Sequence, residues 1–150
     1  VKKNFNARFS AKKKNYQYLI FNNIYRSPIL LNHSWWVVKK LNHKKMQEAS
    51  QYLIGNHNFS SFRSKGCQAK TPYKTLDKIV ICRKSDLIKI SFLAKSFLYN
   101  QVRIMVGTLK DVGTGKLEPK EIINILKKQD RLFSGTTAPS KGLTLKKITY

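Results

Sequence analysis

The sequence predicts an α+β domain: an antiparallel sheet with helices packed on one face. Two kinds of segment alternate without order, some with a two-residue apolar repeat and some with a helical one. At the centre, LDKIVICR and LIKISFLAKSF are joined by KSD, which reads as a hairpin. No repeat and no composition shift divides the 150 residues, so they are read as a single domain over 1–150.

The elements follow in order. A basic segment, residues 1–14, leads into NYQYLIFNN, a strand on which Tyr16, Tyr18 and Ile20 share one face. YRSPILLNHSWWVVKKL is a looped connection, because Pro28 interrupts regular structure. Asn42 caps a helix in which Met46, Ala49 and Leu53 form the inner stripe, with Gly55 as the stop signal. NHNFSSFRSKGCQAKTPYKT has almost no apolar period and is expected to be a long exposed loop. On the second hairpin strand Ile88, Ile90, Phe92 and Ala94 point to the core. A helix over about Tyr99–Val112 ends at Gly113 and buries Val102, Met105, Val106, Leu109 and Val112. A shorter helix begins near Pro119 with Ile122, Ile125 and Leu126 inward, and LTLKKITY is the last strand.

The chain carries 30 Lys+Arg against 7 Asp+Glu, a net charge of +23. AT-rich coding would enrich Lys, Asn and Ile, but it would enrich Glu as well, and Glu occurs only at 48, 118 and 121. The scarcity of acids therefore points to a polyanionic partner, nucleic acid before an anionic membrane surface, since no basic amphipathic helix with a bulky apolar face is visible. No apolar run approaches the ~20 residues of a membrane span. Cys67 and Cys82 lie far apart, which argues against a disulfide scaffold and a structural zinc site and fits a reducing cytoplasm. His33, His43 and His57 lack metal-ligand spacing and are read as surface residues, not ligands.

Three features carry possible chemistry. Arg103 stands in FLYNQVRIMVGTLKDVG among apolar residues, where a guanidinium costs free energy unless it is paired. Either its side chain snorkels to the surface from the edge of the stripe, or an anion meets it; the residue alone does not choose. Tyr16 and Tyr18 follow three consecutive lysines in AKKKNYQY, an arrangement suited to phosphate and a stacked base, although alternating aromatics are also ordinary core. Phe62, Arg63, Lys65 and Lys70 lie among small residues in the long loop, as phosphate contacts or as a solvated turn.

Four stretches, in order and in register, resemble the tRNA pseudouridine synthase A family: FNARFSAKKKNYQYLIFN, MQEASQYLIGNHNFSSFRSKGCQAKTP, FLYNQVRIMVGTLKDVGTGK and DRLFSGTTAPSKGLTL. The connection from about Ile24 to Lys40 matches poorly. The resemblance implies isomerisation of uridines to pseudouridine in the anticodon stem-loop of tRNA, without cofactor or metal. It also implies a homodimer and a target base swung out of its stack. By motif match Tyr16 resembles the tyrosine against the flipped base, and Leu143 the apolar residue lining the base pocket. Phe5, Asn6, Ala7, Arg8 and Phe9 resemble one RNA-contacting stretch, and Gly66, Cys67, Gln68, Ala69 and Lys70 another. Arg103 resembles the family's active-site arginine, which pairs with a catalytic aspartate and keeps it ionised.

The family's nucleophile stands in a G-R-T-D-x-G stretch, and none of Asp77, Asp86, Asp111 and Asp130 has that context. With the Val1 start, this leads to the expectation of a C-terminal half that lacks the nucleophile and is inactive alone. The alternative is a basic RNA-binding module without catalysis.

Overall fold

The computed structural model describes Asn6, Ala7 and residues 10–150. The sheet is built from β1 (Lys13–Asn22), β2 (Trp35–Val37), β3 (Gly55–Asn58), β4 (Tyr73–Lys84), β5 (Leu87–Ala94) and β6 (Leu143–Thr149). The helices are α1 (His43–Gln51), α2 (Gln101–Gly113) and α3 (Glu121–Lys128). Strand order runs β3-β4-β5-β1, and the outer edge of β1 is shared by two strands. β6 runs antiparallel to Lys13–Tyr18, and β2 runs parallel to Ile20–Asn22. The α+β expectation holds, with one refinement: the β1–β2 pairing makes the sheet mixed. That strand sits in the connection expected to be loop, because Pro28 marks only where the chain turns, eight residues before Trp36.

Local chemistry explains the elements. Asn42 caps α1 by accepting a hydrogen bond from the Lys45 amide at 3.1 Å. Met46 and Ala49 then face the core one turn apart. Gly55 does not stop this helix, which ends at Gln51; it starts β3 with φ +103°, in the left-handed region that suits glycine. Ser85 and Asp86 form the tight turn between β4 and β5. On β4 the alternation slips: Leu76 and Ile79 are both buried because an irregularity at Asp77 sets an extra residue opposite β5. The displaced Asp77 meets Lys13 at 2.6 Å.

Tyr18, Ile20, Ile79, Ile81, Ile88, Ile90 and Phe92 form the apolar sheet face, and α1 and α2 cover it. Part of the stretch expected to be an exposed loop belongs to that core. Phe59 and Phe62 are completely buried around a 3-10 turn at Ser60–Phe62, so Phe62 is core and not a phosphate contact. Two aromatics spaced by polar residues leave no periodic signal, which is why the pattern hides them. The longest part of that stretch outside any strand or helix is residues 63–72.

α2 is buried nearly all round. Of its residues, only Arg103 and Lys110 are half-exposed. One side of it is covered by the segment Gly135–Ala138. A Cβ on Gly107 would come within 1.7 Å of the Thr136 carbonyl oxygen, and one on Gly135 within 2.6 Å of the Thr108 amide. Only two glycines permit this backbone-on-backbone approach, and it delivers Ala138 to Arg103.

Candidate active site

A cavity of about 960 Å³ opens where α2 begins, on the helix-bearing face of the sheet. β1 contributes Lys14 and Tyr16, the 63–72 loop contributes Gly66–Lys70, the turn into α2 contributes Phe97–Gln101, and Arg103 and Leu143 complete the wall. The predicted Arg103, Tyr16, Leu143 and Gly66, Cys67, Gln68, Ala69 and Lys70 are thus brought to one place from four separate parts of the chain. Asn6 and Ala7 are exposed in a turn and are not among the lining residues. Phe5, Arg8 and Phe9 lie outside the described residues.

The two tyrosines of β1 separate. Tyr18 is completely buried, which rules out the exposed, stacking role considered for it. Its hydroxyl donates to the Pro139 carbonyl at 2.5 Å, and a ring so placed is structural. Burial pushes its phenol well above the ordinary value, while the neighbouring Arg103 charge pulls in the opposite direction. Tyr16, two residues earlier on the same face, lies at the rim of the helix layer and is half-buried. Phe97 holds it edge-on at 5.3 Å between centroids, leaving Tyr16 part of the cavity wall.

Arg103 is held by oxygen atoms of neutral groups. Its Nε donates to the Ala138 carbonyl at 2.6 Å, and one terminal nitrogen donates to the Asn100 side-chain oxygen at 3.1 Å. The backbone returns the contact, with the Ala138 amide donating to the Arg103 carbonyl at 3.1 Å. Both open readings of this residue receive an answer: it neither snorkels into bulk water nor meets an internal acid.

All seven acids of the chain are placed elsewhere. Asp77 pairs with Lys13, Asp111 with Lys110 and Lys116, and Glu118 with Lys45. Asp86 accepts from Asn23, Glu121 from the Glu118 amide and Asp130 from the Leu132 amide. Glu48 is exposed on α1.

The cavity lining holds Lys14, Lys70, Lys74 and Arg103 and no carboxylate. The first turn of α2 adds the positive end of a helix dipole. Such a pocket attracts anions and keeps a carboxylate placed beside Arg103 ionised.

Sequence reasoning missed the residues that hold the arginine. Asn100 adopts a left-handed backbone (φ 59°), accepts from Arg103, and donates from its side-chain nitrogen to Ser64 at 3.1 Å. Tyr99 reinforces the link: its carbonyl accepts from the Ser64 amide at 3.2 Å, and its amide donates to the Cys67 sulfur at 3.4 Å. The loop and the helix start are therefore tied to each other at three points. An asparagine immediately before a helix was the available signal, since asparagine tolerates left-handed backbone better than most residues.

The fold and site together describe a cationic, aromatic-walled cleft on an α+β sheet. Residues 49–150 match the family model described as tRNA pseudouridine synthase. This chain belongs to the tRNA pseudouridine synthase family. It is 47% identical over 146 residues to the tRNA pseudouridine synthase A of Wolbachia pipientis, covering 97% of this chain and 60% of that protein. It is 44% identical over 146 residues to the enzyme of that name from Allorhizobium ampelinum (97% of this chain, 56% of the relative). Against that of a Thermoanaerobacter species it is 43% identical over 150 residues (100% of this chain, 62% of the relative). The chain thus spans about 60% of the length of the curated relatives it matches.

Proposed function

We propose that this chain forms the arginine-bearing side of a tRNA pseudouridine synthase active site. The observation that carries the reading is Arg103: a half-buried guanidinium on the wall of an acid-free cavity, fixed by neutral oxygens. None of the chain's own acids lies against it, and a guanidinium so oriented suits a carboxylate partner. We assign that carboxylate, the nucleophile, to polypeptide outside these 150 residues.

In this reading the uridine enters between Tyr16 and Leu143, and Arg103 keeps the nucleophile ionised while the N-glycosidic bond breaks and the base rejoins through carbon. Lys14, Lys70 and Lys74 neutralise phosphates flanking the extruded nucleotide. The anticodon stem-loop as target, a homodimeric whole protein and a cytoplasmic location are parts of the same proposal, and they rest on the family resemblance. The rival reading, a basic RNA-binding module without catalysis, accounts for the charge and leaves the anchoring of Arg103 without a purpose.

The test is to incubate the 150-residue chain with unmodified tRNA, then measure binding and pseudouridine content. The expected result is binding that weakens steeply with salt, with no pseudouridine above background. Turnover by the chain alone would overturn the external nucleophile, and absence of binding would overturn the RNA surface.

A further inference from the structure

At the other end of α2 lies a second concavity of about 550 Å³, walled by Trp35, Trp36, Lys39, Lys110 and Lys116 and floored by Asp111. It shares no lining residue with the cavity around Arg103. Arg103 and Lys110 are seven residues apart on one helix, a separation of about 10 Å along the axis.

The groove is a built feature. β2 is fastened to β1, and the buried Asn22 ties down the chain that follows. Its side-chain nitrogen donates to the Val37 and Lys39 carbonyls, each at 2.9 Å, and its oxygen accepts from the Leu41 amide at 3.0 Å. Trp36 donates from its indole nitrogen to the Asn23 carbonyl at 2.8 Å, and Arg26 lies over its ring at 4.6 Å. Lys110 sits 5.7 Å above the Trp35 ring. Asp111 holds Lys110 at 2.5 Å and Lys116 at 3.9 Å, which orients both lysines toward the groove. Three lysines against one buried carboxylate leave an excess of positive charge at the edge of β2, where the Trp35 indole faces Lys110.

Resting on the RNA-binding reading above, we propose that this groove is a second RNA site. Its lysines neutralise phosphates of a strand segment and an indole wall packs against a base or ribose. The cationic excess commits the occupant to a polyanion. A cationic groove with an indole at its wall fits a nucleic acid better than a lipid headgroup, since it lies on a strand edge and not on an apolar helix face.

The chain has two tryptophans, Trp35 and Trp36, and both line the groove, so its intrinsic fluorescence reports on this end of α2. The experiment titrates unmodified tRNA transcript into the 150-residue chain while following tryptophan emission, with filter binding in parallel. Saturable quenching is expected at the concentrations where tRNA binds. In Lys39→Gln/Lys116→Gln the quenching should be largely lost and the slope of log K against log salt should fall by about 2, while residual binding persists. Circular dichroism checks that the variant folds, and Lys39→Arg/Lys116→Arg should restore both signals.

Binding with unchanged tryptophan emission, or an unchanged slope in the folded variant, overturns this site and leaves the reading at Arg103 standing. No binding by the unaltered chain overturns both. A shift of emission with phosphatidylglycerol vesicles but not with tRNA assigns the groove to a membrane surface instead.

Discussion

The two ends of α2 solve the same electrostatic problem in opposite ways. Each carries a half-exposed cation on an otherwise buried helix, Arg103 near the start and Lys110 near the end. Lys110 is neutralised by Asp111, its neighbour in sequence, at 2.5 Å. Arg103 receives only a backbone carbonyl and an amide oxygen, which orient the guanidinium and leave its charge uncancelled. A charge held without a counter-charge is a cost to the folded chain and an asset to a ligand. In the reading proposed above, this difference makes the Arg103 end the reacting site and the Lys110 end a place of attachment.

The largest effect is expected at the uncancelled end. In a complete enzyme carrying this sequence, Arg103→Ala should lower kcat by about 10³-fold or more, because the carboxylate loses its charge partner and its orientation. Affinity for tRNA should change only a few-fold, since Lys14, Lys70 and Lys74 remain. A large loss of affinity with normal single-turnover rates on bound tRNA would contradict the role.

A smaller effect is expected at the cancelled end, and there it falls on stability. Asp111→Asn leaves the half-buried Lys110 amine without its counter-charge and should destabilise the chain by about 1–2 kcal/mol. That corresponds to a drop in Tm of about 3–8 °C in a chain of this size. Arg103→Gln loses no ion pair and should shift Tm by less. If thermal melts show the two variants equally destabilised, the contrast drawn here between the two ends is wrong.

The smallest effect lies between them, at Tyr18, which touches Pro139 beside the arginine anchor and Trp35 beside the groove. An unfolded phenol releases its proton near pH 10, whereas the buried one holds it to higher pH. Above about pH 10 the unfolded state therefore binds fewer protons than the folded state, and stability falls as pH rises. Tyr18→Phe should cost about 1 kcal/mol at neutral pH and make the alkaline decline shallower. Equal slopes for the two proteins above pH 10 would show that this phenol does not titrate as its burial requires.

Much of this was readable from residue order. The hairpin, α1 with its Asn42 cap, and the inner face Ile88, Ile90, Phe92 and Ala94 follow from local period and capping, which act over a few residues. That Arg103 lacks an acid partner was not legible from the residue itself. It followed only from the resemblance, since no aspartate of the chain stands in the G-R-T-D-x-G context. Buried Phe59 and Phe62 were not legible, nor was β2, because an irregular segment becomes core only when distant elements cover it. Tyr16 and Tyr18 carry identical side chains on one strand face, so no local rule could tell wall from core.

What the sequence determined by itself is therefore most of the elements, the positive field and the resemblance that points to Arg103, all of which depend on composition and near-neighbour spacing. Only the tertiary structure decided which groups hold that guanidinium and where the second groove lies. Gly107 and Gly135 admit a backbone segment from about 30 residues away, and contacts over such a separation exist only once the chain has closed on itself.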